Sequence, residues 1–201
     1  NHVRSKGINM AVKVKKIVKE IKETKYEGAN WNTNEDDYTQ SFYEQNLSQF
    51  WRPEDISLQP DLNVWSVLSD DIKLAYARNL LVLTFLDTYQ GDIGMPVVGR
   101  SIDEHFHQRK AVINYMAAME NAIHAKSYSN IFMTYMSTPE IDELFRWGEE
   151  HQNLQKIMQM IVGEYKALDK MNYQKKFMED DPSFNELAFQ VQQWKAMVAS
   201  V

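Results

Sequence analysis

Three residues stand where their chemistry is out of place. Asp87 lies in the apolar run Leu80-Leu81-Val82-Leu83-Thr84-Phe85-Leu86-Asp87-Thr88, and Glu120 and His124 lie in a second run, from Tyr115 to Ala125. A buried acid costs several kcal/mol unless it is paired or bound to a cation. Each residue alone has a plain explanation. A histidine on an apolar helix face is more often a hydrogen-bonded core residue than a ligand, and an acid late in a helix often faces water. Together they suggest more. Glu120 and His124 are four apart, about 40° from one another on a helix and one turn removed, and Tyr128 continues the same stripe. Helical bundles build di-iron and di-manganese sites in this way, with an acid from one helix and a Glu/His pair from another, each used twice. Asp87, Glu120 and His124 amount to half of such a set. The chain has no cysteine, so thiolate zinc, iron–sulfur and Cys-nucleophile chemistry are excluded and a metal must use carboxylate and imidazole ligands.

The elements that must carry these residues are helices. Glycine and proline, 7 and 5 of 201 residues, make up roughly 6% against an average of roughly 12%. A sandwich or barrel of many short strands needs more turn residues. Ser69-Asp70-Asp71 opens a helix expected to run to about Tyr89 and to stop at Gly91 and Gly94-Met95-Pro96. A longer helix is expected from Ile102 to about Met136, so apolar in its middle that it belongs at the centre of a bundle. Thr138-Pro139 reads as N-cap and first helical residue, with helices following over roughly 140–152 and 153–170 and a polar break at 171–182. Upstream, Asn34-Glu35-Asp36-Asp37 caps a helix to about Phe50. Arg52-Pro53 and Gln59-Pro60 then break the chain. The aromatics of residues 26–65 read as a lid over the helical core. The composite is an all-α bundle.

The remaining features bound the function. The net charge of −6 argues against a nucleic-acid or anionic-membrane surface. No apolar run reaches the roughly 18 residues of a membrane span, and no signal-peptide pattern precedes Met10, so the cytoplasm is the default compartment. Residues 1–25 read as a leader and a basic N-terminal extension, with Val14, Ile17, Val18 and Ile21 at helical spacing among lysines. Residues 26–201 read as the bundle. The last stretch, Asn185 to Val201, is expected to be a helix, and it has no glycine or basic stop.

Specific strings carry a resemblance. Leu83-Thr84-Phe85-Leu86-Asp87-Thr88, Gly91-Asp92-Ile93-Gly94-Met95-Pro96 and especially Met119-Glu120-Asn121-Ala122-Ile123-His124-Ala125-Lys126-Ser127-Tyr128-Ser129-Asn130-Ile131-Phe132 resemble the small (beta) subunit of aerobic class Ib ribonucleotide reductase. Asn30-Trp31-Asn32 and Lys195-Ala196-Met197-Val198-Ala199-Ser200-Val201 are similar too.

The resemblance implies a ferritin-like helical bundle, incomplete in this chain. It implies that Asp87, Glu120 and His124 bind one metal of a dinuclear manganese or iron centre, that Tyr128 carries a stable radical, and that Trp31 is the near-site tryptophan of electron transfer. The radical would start reduction of ribonucleotides on a large (alpha) subunit. A homodimer, a flavodoxin-like activator for a manganese centre and a complementary C-terminal chain are the further partners implied. The commoner family spacing is Glu-x-x-His. Here the residue three before His124 is Asn121, so Glu120 is the expected ligand and an extra residue, as a π-bulge, is expected to re-aim it. The remaining family ligands would follow Val201, which makes the chain the N-terminal portion of a larger bundle. The alternative is a non-catalytic remnant or assembly partner that binds reductase subunits without forming a radical.

Overall fold

The computed structural model describes residues 25–177. The basic segment and the helix expected over residues 185–201 lie outside the described residues. The chain divides into two compact units, Asn1–Asn30 and Trp31–Val201, and every element below belongs to the second. Among the described residues the regular structure is all helical, as a ferritin-like bundle requires.

Helix α1 spans Asp37–Ser48. Its N-cap is Asp36, whose carboxylate accepts from the Thr39 backbone N–H at 2.7 Å and from the Thr39 hydroxyl at 2.8 Å. Two short 3₁₀ turns, Pro53–Asp55 and Gln59–Asp61, lead into α2, Leu62–Val67. Helix α3, Asp70–Tyr89, agrees with its sequence expectation at both ends.

The expected stop after α3 does not occur. The chain passes through one π turn, Gln90–Gly94, and continues as α4, Met95–Arg100. A proline inside an α-helix collides with the carbonyl four residues back. The wider π turn directly before Met95-Pro96 opens the backbone at that place. Gly91 and Gly94 are both buried, and here they are close-approach positions rather than terminators. A methyl group on Gly94 would lie 2.6 Å from Cζ of Tyr165.

The long central helix begins later than expected. Residues 101–106 are irregular, and α5 runs His107–Ala118, followed by a π turn at Met119–His124 and α6 at Ala125–Tyr135. The expected π-bulge is therefore present, at the ligand string itself. The start of α5 is fixed from a distance. The Glu35 carboxylate accepts from the backbone N–H groups of Gln108 and Arg109 at 2.7 and 3.1 Å, donors that a helix start otherwise leaves unpaired. Nor is this helix enclosed on all sides as expected: Asn114, Ala118, Ala122, Lys126 and Met133 are exposed.

Helix α7, Thr138–Glu150, starts one residue earlier than read, because Ser137 is the N-cap. The Glu140 carboxylate accepts from its backbone N–H and hydroxyl at 2.7 and 2.6 Å. Helix α8, Gln152–Phe177, runs through the expected break at 171. The core that supports the site joins α3, α6 and α7 through Ala77, Leu81, Phe132 and Leu144, with Phe85 and Tyr128 packed on it. No helix among the described residues is long and apolar enough to cross a membrane.

Candidate metal centre

Asp87 comes from the last turn of α3, and Glu120 and His124 from the π turn between α5 and α6. One ligand atom from each lies within 4.8 Å of the others. His124 Nδ1 is 3.1 Å from Glu120 Oε2 and 3.8 Å from Asp87 Oδ2. Gln90, in the facing π turn, donates its amide Nε2–H to Glu120 Oε1 at 3.1 Å. Glu120 is buried, at 8% exposure. Asn121, the residue at the commoner family spacing, turns away and donates its side-chain amide to Asp92.

The electrostatics are those of anions crowded together. Asp87 Oδ2 is buried and accepts no hydrogen bond among the described residues. Burial first, and then the negative charge of Glu120, push the Asp87 carboxyl up to about 6. Tyr128 beside it and the His124 imidazole pull the other way. Burial, followed by the Asp87 charge, pushes the Tyr128 phenol up to about 12. Two carboxylates and an imidazole converging on one buried, unsatisfied oxygen fit a divalent cation, and the O and N donor set suits manganese or iron.

The structure brings together four of the five site residues expected from sequence: Asp87, Glu120, His124 and Tyr128. Trp31 is not the ring on the site. It packs on Tyr43, centroids 4.9 Å apart, and the Tyr115 phenol on α5 is raised first by burial and then by the charge of Tyr43. The tryptophan on the metal-site histidine is Trp51, with centroids 6.1 Å apart and planes within 18°. The reason is the strap that Arg52-Pro53 starts: the Glu54 carboxylate pairs with Lys126, two residues past His124, and the strap's far end is held where the Tyr135 hydroxyl donates to the Leu58 carbonyl at 3.1 Å.

Sequence reasoning also missed Gln90 and Tyr165. Gln90 was findable, since it lies three residues past Asp87 and so beside it on a helix. Tyr165 was not. It stands mid-way along α8, half-buried, and its phenol is pushed up by burial and by the charge of Glu120.

The comparisons with known proteins agree with this geometry. The family model "Ribonucleotide reductase, small chain" matches residues 28–184. The ribonucleoside-diphosphate reductase subunit beta of Bacillus subtilis (strain 168) is 50% identical over 176 residues, 88% of this chain and 48% of that protein. The subunit of the same name from Bacillus phage SPbeta is 51% identical over 145 residues, 72% of this chain and 44% of that protein. The crystal structure of Streptococcus sanguinis dimanganese(II)-NrdF superposes with a TM-score of 0.66 at 36% identity, covering 74% of this chain and 53% of that one. The chain spans about half the length of these curated relatives. With the family model matched across the whole run from α1 to α8, ligand string included, the chain belongs to the ribonucleotide reductase small-chain family.

Proposed function

We propose that this chain is the small subunit, or an N-terminal portion of the small subunit, of a ribonucleoside-diphosphate reductase that works in the cytoplasm. The observation that carries the reading is the convergence of Asp87, Glu120 and His124 within 4.8 Å, beside a tyrosine that faces one of them. In this reading the three residues hold one ion of a dinuclear manganese or iron centre, as in the dimanganese relative. A second ion draws on ligands outside this group.

When bound, the metal pair supplies the oxidising power. Tyr128 gives up one electron and its phenolic proton, and the nearest base for that proton is the Asp87 carboxylate. The raised phenol keeps its proton until the electron leaves, which ties the two losses together. Packing of Tyr128 against the core of Phe132, Leu81 and their neighbours shields one side of the phenol. The stack on His124 supports Trp51, in place of Trp31, as the first carrier toward a large (alpha) subunit. A homodimer, a flavodoxin-like activator and a complementary C-terminal chain complete the assembly in this reading, and nucleic acid has no part in it.

The test is electron paramagnetic resonance after loading with Mn(II) or Fe(II) and oxidation. The chain alone is expected to give no tyrosyl radical, and a radical is expected when the C-terminal half of the Bacillus subtilis relative is supplied. Loss of that radical in Tyr128→Phe supports the assignment, and its persistence overturns it. A second reading, a non-catalytic assembly partner, draws on the fact that the described residues hold a single three-ligand group. It predicts binding to reductase subunits with no metal uptake under either condition.

A further inference from the structure

Two π turns face one another across the site, and their side chains interlock. From the turn Gln90–Gly94, Gln90 donates to Glu120 Oε1 at 3.1 Å and Asp92 accepts from the Asn121 amide. Between these two contacts sits Gly91. A methyl group there would lie 2.8 Å from Asn121 Cγ and 2.9 Å from the Ala117 carbonyl oxygen. Only a bare Cα leaves room for the Asn121 side chain to fold over it. The facing turn, Met119–His124, carries both Glu120 and Asn121, adjacent residues that a change of one position in register would exchange.

We propose that Gln90, Gly91 and Asn121 are positioning residues that hold the 119–124 segment in its π register. Gln90 occupies one oxygen of Glu120, Oε1, and leaves the other, Oε2, beside His124 Nδ1 for a metal ion. Asn121 locked over Gly91 prevents the helix from relaxing to an α turn, which would re-aim Glu120 relative to Asp87 and Gln90 on the facing helix. The inference rests on the metal-site reading above, and it concerns how the pair is aimed.

The experiment uses the full 201-residue chain with Co(II), followed by visible absorption, and with Mn(II), followed by loss of the free-ion paramagnetic resonance signal. Gln90→Met keeps the side-chain length and removes the donor. It is expected to free Glu120 Oε1 to become a second metal donor, changing the Co(II) bands and moving the affinity by about fivefold or more. Asn121→Ala and Gly91→Ala are expected to weaken both ions by about tenfold. Far-UV circular dichroism separates these effects from unfolding, and Gln90→Met, which opens no clash, stands even where Gly91→Ala does not fold. A merely structural role would lower the melting temperature without moving the Co(II) bands. Wild-type bands and affinity in Gln90→Met overturn the inference alone. Failure of the unsubstituted chain to take up either ion overturns the metal-site reading and this inference together.

Discussion

The indole of Trp51 lies on the imidazole of His124, with ring centroids 6.1 Å apart and planes inclined by 18°. The ion pair between Glu54 and Lys126 clamps the same strap to the same helix, so the stack is held at two points. An aromatic ring on His124 connects the candidate metal centre to the surface strap, and in the proposed function this is the route of the electron.

Trp51→Phe is therefore expected to leave the Tyr128 radical intact in the assembled protein and to lower nucleotide reduction by about a hundredfold or more. Trp31→Phe, whose ring contact is with Tyr43, is expected to change reduction less than about threefold. Paired radical quantification and turnover assays check both, and the opposite ranking of the two variants returns the role to Trp31.

Asp87→Asn is expected to have effects of opposite sign on stability and on metal binding. The folded carboxyl titrates near 6, above its ordinary value of 3.8. Its contribution is favourable below the unfolded value and is lost as pH rises through 6. At pH 7 the metal-free chain therefore carries an unfavourable charge that asparagine removes. After allowance for solvent screening this is about 1 kcal/mol, or roughly 2–4 °C in Tm. Metal affinity falls instead. Calorimetry at pH 5 and 7 is the check: the gain in Tm should shrink at the lower pH.

Asp36→Ala removes the N-cap of α1 together with the 2.9 Å pair to Arg109. The expected loss is about 1 kcal/mol. The Thr39 backbone N–H, the Thr39 hydroxyl and Arg109 hold the Asp36 carboxyl below its ordinary value. Its contribution is thus present above the unfolded value near 3.8 and is lost as pH falls through the lower folded one. Urea midpoints measured from pH 7 to pH 3 should converge for the two proteins at the acid end.

Gly148→Ala places a methyl group 2.7 Å from Leu81 Cδ2 and 3.1 Å from the Phe85 ring. Leu81 is fully buried and has little room to move. Overpacking of this kind costs about 1–3 kcal/mol. Adding Leu81→Val to the same chain should restore part of the loss, and thermal denaturation of the single and double variants measures how much.

Much of the bundle was legible because its signals are local. Ser69-Asp70-Asp71 marked the start of α3, and apolar spacing carried it to Tyr89. Asp87, Glu120, His124 and Tyr128 were legible as acids, an imidazole and a phenol on apolar faces, and a four-residue spacing puts the last three on one stripe. The π-bulge at Met119–His124 was expected because Glu120 stands one place off the spacing of the family that the string resembles. The second π turn was not. Gly91, Gly94 and Pro96 are stop signals by local rules, and the helix continues because Asn121 and Tyr165 need those glycines as spaces to pack into.

The division has one physical cause. By itself the sequence determined helix content, the ligand types and their shared stripe, since these follow from residue chemistry and from a rotation repeated along one chain. Only tertiary structure decided which tryptophan lies on His124, which oxygen of Glu120 is held by Gln90, and that Asn121 turns to Asp92. Those contacts join residues about thirty or more positions apart, and no periodicity within one helix encodes the packing of another against it.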